Sequence, residues 1–227
     1  MTSRAQPKRT RKSPEQRRAE IVETAARIAL EEGLELITLR RVAEELSVRP
    51  GLISHYFPVA DHLVSEAFTH ATTKERESLL PPHEQDLPPV DRLARFLVGL
   101  ADGDYLDLSR LWLNARHLSR FKDPLRSAVR AQESATRTAL VDLIDSGVRA
   151  GEFTTGDALR AALHILIAVD GLGAYANDDA QPEGGLDISD VAVETAETRL
   201  GLAPGALRAR VRARSAGSAA AEASTPR

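Results

Sequence analysis

The sequence predicts an all-α protein, with an N-terminal three-helix helix-turn-helix unit joined by a connecting helix to a larger helical domain. Three observations carry this prediction. Apolar residues recur at three and four positions along most of the chain, no segment alternates with the two-residue period of a strand, and the breaks between periodic segments carry helix-capping chemistry. At 227 residues the chain suffices for one globular body of about 150–200 residues with smaller attached parts.

The elements follow in order. Ser13-Pro14-Glu15-Gln16 has the form of a capping box with proline at the first helical position, and Ile21, Val22, Ala25, Ile28 and Ala29 then share a face. Gly33 supplies a left-handed stop, so the first helix spans roughly 14–32. Thr38 caps a short helix with Val42, Ala43 and Leu46 inside; after only Ser47 and Val48, a second short helix runs from Arg49 to Tyr56 with Pro50 in its first turn. A longer amphipathic helix opens at Asp61 and runs to about Leu80, where Pro81-Pro82 stops it. The polar, proline-rich segment 83–89 reads as a loop. Beyond it, Leu93, Phe96, Leu97 and Leu100 share a helix face, and a helix starting near Tyr105 is apolar over most of its circumference. Asp123-Pro124 reads as an N-cap followed by an N1 proline opening a long helix to about Ala150. Further helices are expected over Ala158–Tyr175 and about Ser189–Leu200, and the last residues, rich in Arg, Ala and Ser, hold too little apolar material to pack.

Composition narrows the function. There is no cysteine, which excludes disulfides, thiolate metal sites, iron–sulfur clusters and cysteine nucleophiles together. No apolar run approaches the ~18 residues of a membrane span, and the N-terminal residues lack the apolar core of a secretory signal, so a cytoplasmic protein with no membrane partner is expected. The net charge of -3 hides an asymmetry. Arg4, Lys8, Arg9, Arg11, Lys12, Arg17 and Arg18 meet only Glu15, whereas residues 101–200 carry 17 acidic against 10 basic side chains. A polyanion met by one end of the molecule would account for this division.

Thr38–Leu63, TLRRVAEELSVRPGLISHYFPVADHL, is the stretch that carries chemistry. Its two short helices and tight turn are those of a helix-turn-helix, in which the second helix presents polar groups to a groove. Leu52, Ile53 and Phe57 pack inward, while Arg49, Pro50, Gly51, Ser54, His55 and Tyr56 face outward or lie at the edge. Arg49 is a bidentate donor suited to guanine or phosphate, Gly51 permits close backbone approach, and Ser54, His55 and Tyr56 can donate to bases or phosphate oxygens. Thr38 adds a hydroxyl beside free backbone N–H groups, which suits a phosphate. The expected DNA-contacting set is therefore Thr38, Arg49, Pro50, Gly51, Leu52, Ser54, His55 and Tyr56.

At these residues the chain resembles the TetR family of transcriptional regulators, and GLISHYF is most similar to the BetI-like branch. The match is strong over about residues 14–70 and extends beyond only in length and helical pattern, LWLNARHLSRF included. The resemblance implies a homodimeric repressor of a double-stranded DNA operator, whose C-terminal domain supplies the dimer interface and a cavity for a small-molecule effector. With no cysteine and no catalytic motif in a helical chain, neither enzyme activity nor a cofactor is expected. Two positions depart from the family pattern: Ala60 stands where a phosphate-contacting lysine is usual, and Arg49 where a small hydroxyl residue usually opens the recognition helix. Arg49 or the basic arm is expected to take over the lost contact.

The domain reading is a disordered basic arm over 1–12, the DNA-binding domain over 13–70 with its motif at about 38–57, the ligand and dimer domain over 71–202, and a disordered tail over 203–227. Trp112, Asn114, His117, His164, Asp170 and Tyr175 are polar or aromatic groups on otherwise apolar helices and are the candidate cavity contacts. Asp170 in particular lies in IAVDGLGAY, where a carboxylate must be paired or face a cavity, and a cavity it lined would favour a cationic ligand. His62, Glu66 and His70 share one helix face but read as a solvated face, since three groups over two turns of one helix converge poorly on an ion. Asp102, Asp104 and Asp107 lack the glycine and distal glutamate of a calcium loop and read as caps. No nucleophile elbow, P-loop or HExxH motif is present. The competing reading is a helical interaction module that binds polyanions without sequence preference.

Overall fold

The computed structural model describes residues 12–100, 103–176 and 189–213; the side chains of residues 103–106, 175, 176 and 189 lie outside that description. Helix α1 (Pro14–Glu31) starts as its sequence dictates: Ser13 Oγ accepts the Gln16 N–H at 3.1 Å, and Gln16 Oε1 accepts the Ser13 N–H at 2.9 Å. Two otherwise open backbone donors are thereby satisfied. Gly33 turns the chain at φ 102, a conformation open to a residue without Cβ, and a 3-10 turn over Leu34–Leu36 follows. Thr38 Oγ1 accepts the Arg41 N–H at 3.0 Å and opens α2 (Leu39–Glu45). Ser47 takes a left-handed φ of 53 in the tight turn to α3 (Pro50–Tyr56). Helix α4 (Ala60–Leu79) then leads out of the head.

The second part comprises α5 (Pro89–Gly99), α6 (Gly103–Leu118), α7 (Asp123–Arg149), α8 (Ala158–Ala176) and α9 (Ser189–Arg199), with no strand among the described residues. Apolar packing forms two cores. The first joins Ile21 and Ile28 of α1, Val42 of α2, Ile53 of α3 and Leu63 and Phe68 of α4 to Leu111 and Ala115 of α6 and Leu125 and Val129 of α7. The head is therefore not closed by residue 70; the end of α6 and the start of α7 complete it. The second core holds Leu93 and Phe96 of α5, Leu140 and Ile144 of α7, Ala162 and Ile165 of α8 and Ala196 of α9. At 27 residues α7 is about 40 Å long and runs through both cores. In its last turns Gly147 packs against the Phe153 ring so closely that a Cβ there would lie 2.1 Å from Cδ2. Only glycine fits this crossing.

Two expectations change. Asp123 is the first residue of α7 and not its cap, since Lys122 holds the extended cap conformation and Pro124 takes the second position. The segment from residue 203 is not uniformly a disordered tail. Residues 206–213 are helical, Leu207 is fully buried, and the buried Glu197 carboxylate accepts the N–H groups of Gly205, Leu207 and Arg208 at 2.8, 2.8 and 3.0 Å. One leucine and one acidic cap from α9 hold what composition alone left unpacked. Residues 214–227, and residues 1–11 of the basic arm, lie outside the described residues.

Candidate nucleic-acid interface and ligand cavity

The head core fixes how α3 is presented. Ile53 and Phe57 are buried and Leu52 and Tyr56 half-buried, which rolls Arg49, Pro50, Gly51, Ser54 and His55 outward. Tyr56 packs its ring against the head core and meets the His55 ring edge-on at 5.3 Å. Ser54 Oγ donates to the Pro50 carbonyl at 3.2 Å, and the Thr38 hydroxyl oxygen is engaged as the α2 cap. Most head arginines are held by carboxylates. Arg40 pairs with Glu44 at 2.8 Å, Arg41 with Glu45 at 2.7 Å, Arg27 with Glu31 at 2.9 Å, and Arg18 with Glu66 while its guanidinium lies 4.8 Å over the Phe57 ring. Lys12, at the foot of the basic arm, is paired with Glu20 at 2.6 Å. Arg49 stands exposed at the α3 cap without a carboxylate partner among the described residues, and a Cβ placed on Gly51 would meet nothing within 4 Å. The outward face of α3 thus offers a free cation, hydroxyl and imidazole groups and open backbone.

Asn114, Lys122 and Trp112 are among the residues that tie this head to the second part. Asn114 of α6 accepts the Leu34 N–H at 3.0 Å and donates to Glu35 at 2.6 Å. Lys122 reaches Asp61, in the first turn of α4, at 2.6 Å. Phe68 and Trp112 meet edge-to-face with centroids 5.0 Å apart.

A cavity of about 200 Å³ lies where the two cores adjoin, between α4, α5, α6, α7 and α8. Its apolar wall is built by Leu79, Phe96, Leu100, Leu166 and Val169 among others. Of the candidate contacts, Trp112 and Asp170 line it. Asn114, His117 and His164 do not. The reason is helical phase. Cavity-facing positions are 112 and 116 on α6 and 163, 166, 167, 169 and 170 on α8, so Asn114 is turned to the head and His117 outward onto Phe121, at 5.8 Å. Tyr175 is in the last turn of α8, and its side chain is outside the described residues.

Sequence reasoning missed the charged part of the wall: Glu75, Arg76, Arg116, Glu133 and Arg137. Arg116 is the centre. Its guanidinium donates to Glu133 at 3.0 Å and to both Asp170 oxygens at 3.1 and 2.9 Å, and lies 5.4 Å over the Trp112 ring. Glu75 accepts the Trp112 indole N–H at 3.0 Å. Burial lifts the Glu75 carboxyl above the ordinary carboxylate range, against the indole N–H and Arg76, and Asp170 adds to the lift. Arg76 donates to Gln132 at 2.7 Å, and Arg137 to Ser134 at 3.3 Å. Sequence position does give a signal for Glu75. It continues the stripe of buried Phe68 and Thr72 and half-buried Leu79 on α4, where a charge has to be accounted for.

Along α8, Leu159, Leu163 and Ile167 form an exposed apolar stripe, with Ile167 68% exposed. Val191 of α9 is exposed as well.

Comparison with known proteins agrees with this architecture. Residues 21–67 match the family described as bacterial regulatory proteins, tetR family, and residues 86–201 match the tetracyclin repressor-like C-terminal domain. The HTH-type transcriptional regulator PksA of Bacillus subtilis (strain 168) is 30% identical over 84 residues, 37% of this chain, and the chain spans 41% of that relative's length. A putative transcriptional regulator from Saccharomonospora viridis, solved in complex with choline, superposes with a TM-score of 0.65 at 20% identity over 81% of this chain and 95% of that one. The regulator FadR from Bacillus subtilis, solved with stearoyl-CoA, superposes with a TM-score of 0.59 at 16% identity over 80% of this chain and 97% of that one. Two family matches on consecutive segments, on an all-helical chain with a helix-turn-helix head, place the protein in the TetR family of DNA-binding, non-enzymatic transcriptional regulators.

Proposed function

We propose that this regulator is a homodimeric repressor that grips a near-palindromic operator through α3 and lets go when a small molecule fills the cavity. The observation that carries the DNA reading is the outward face of α3, where Arg49, Gly51, Ser54 and His55 are exposed while the neighbouring arginines are neutralised by carboxylates. On this reading Arg49 and Tyr56 contact phosphate, and Ser54 and His55 reach base edges or phosphate oxygens; Pro50, Gly51 and Leu52 bring the helix backbone close, and Thr38 steadies the flanking strand. The GLISHYF segment supports a place near the BetI-like branch. The basic arm adds cations where Ala60 offers none.

The exposed stripe Leu159, Leu163 and Ile167 supports a two-fold contact between α8 helices, because such a row is costly in water and self-complementary across a dyad. Two heads so joined address half-sites about 34 Å apart, which is the source of operator symmetry. The cavity supports ligand response. Choline in one structural neighbour and stearoyl-CoA in another are opposite in charge, so the neighbours leave the class of effector to this chain's own residues.

Gly51→Ala tests the docking surface. The space around Gly51 is open, and alanine is the better helix former by up to about 1 kcal/mol, so the thermal midpoint is expected to hold or rise. Operator affinity, by fluorescence anisotropy, is expected to fall by about tenfold as the new methyl holds the helix off the DNA. Unchanged affinity would mean that α3 does not approach DNA along this face.

A further inference from the structure

We infer that the effector is an organic cation, an amine or guanidine on an apolar body, and that the Arg116 guanidinium occupies its place in the cavity. This rests on the reading of the cavity as the effector site. Three carboxylates from three helices, Glu75 of α4, Glu133 of α7 and Asp170 of α8, meet at the single tryptophan of the chain. Arg116 is bound there by two carboxylates and the face of an indole ring. Those are the elements by which a protein recognises a cation. The site therefore already displays its selectivity, on a ligand that is part of the chain.

One carboxyl group remains over. Glu75 lies half-buried beside Trp112, its hydrogen bond is to the indole N–H, and no cation stands within ion-pair distance of it among the described residues. Arg76, its chain neighbour, is turned to Gln132. A partly buried carboxylate without an ion-pair partner is unfavourable, and its raised proton affinity, which Arg76 offsets only in part, reflects that; an entering cation would relieve the penalty. The opposing groups are Arg76 and Arg137, which line the same cavity and would favour an anion. Each is hydrogen-bonded to a neutral partner, Gln132 and Ser134.

Displacement of Arg116 has a structural consequence. Its bond to Asp170 ties α6 to α8, and two residues earlier on α6 Asn114 holds the Leu34–Leu36 turn of the head. A cation that takes Asp170 and Glu133 removes this tie between α6 and α8 while the hold on the head persists. The cavity and the head thus share one movable element, whose equilibrium the ligand shifts by binding one arrangement better.

Trp112, the only tryptophan, reports occupancy directly. The full-length protein is titrated with n-octylammonium, n-octanol and n-octanoate, matched in chain and differing in charge, with indole emission as readout. The ammonium is expected to bind about tenfold more tightly than the alcohol, and the carboxylate more weakly than either. Glu75→Gln keeps the shape and the indole bond and is expected to erase most of the ammonium's advantage over the alcohol. Arg116→Met removes the internal competitor and is expected to tighten ammonium binding several-fold. Alcohol or carboxylate binding as tightly as the ammonium would overturn the cation assignment while leaving the cavity as an effector site. No response of Trp112 to any of the three would overturn the effector-site reading and the cation assignment with it.

Discussion

Phe68→Ala is expected to lower the unfolding free energy by about 3–5 kcal/mol, the usual cost of emptying a buried phenylalanine site. Phe68 is fully buried in α4, faces the first core that unites α1 to α4 with the ends of α6 and α7, and supports the Trp112 ring edge-to-face at 5.0 Å. Relaxation into the void is hindered because α1, α4 and α6 are all anchored elsewhere, α6 by Asn114 and α1 by its capping box. Urea unfolding followed by circular dichroism measures the loss. Leu36→Ala, at a half-exposed leucine in the 3-10 turn, is the control, expected to cost within about 0.5 kcal/mol. A loss of under about 1 kcal/mol for Phe68→Ala would mean that head and cavity do not share a core.

Leu159→Glu combined with Ile167→Glu is expected to separate the dimer and to weaken operator binding by about a hundredfold or more, because the second head then binds as an independent molecule. Both side chains are at least half exposed in the single chain, 50% and 68%, so the fold has little to lose from the change. Sedimentation at micromolar concentration is expected to fall from twice the chain mass to 24.6 kDa, with the far-ultraviolet circular dichroism retained. Unchanged mass with normal operator affinity would place the dimer contact on another face.

The helices were legible where their ends carry local chemistry. Ser13 with Gln16, Thr38, Pro50 and Gly33 act as their side chains dictate, and α1 ends within a residue of its expected limit. These signals are contained in four or five consecutive residues. What stayed hidden is set by partners far away in sequence. The buried Glu197 draws residues 206–213 into a packed helix, although that segment taken alone is polar and alanine-rich. Nothing in the residues around Lys122 marks it, and only the fold brings it to Asp61.

The cavity shows the same division. Trp112 and Asp170 are conspicuous as polar atoms among apolar neighbours, and both line it; Asn114, His117 and His164 are equally conspicuous but fall on other faces of their helices. Arg116 and Glu133 sit at positions where amphipathic helices ordinarily place solvated charges, so nothing local marks them. Their role arises from convergence with Asp170, 54 residues along the chain from Arg116.

The central claim is sequence-specific DNA binding by the α3 face, and the most direct measurement is selection of bound duplexes from randomised and genomic DNA, followed by anisotropy of the winner against its scrambled form across a salt series. A specific regulator yields one enriched, two-fold symmetric sequence, bound at ~150 mM salt at least about 10³-fold more tightly than the scrambled duplex. Absence of any enriched sequence, with equal binding to both duplexes that collapses as salt rises, would contradict it and leave a helical module that holds polyanions through its basic ends.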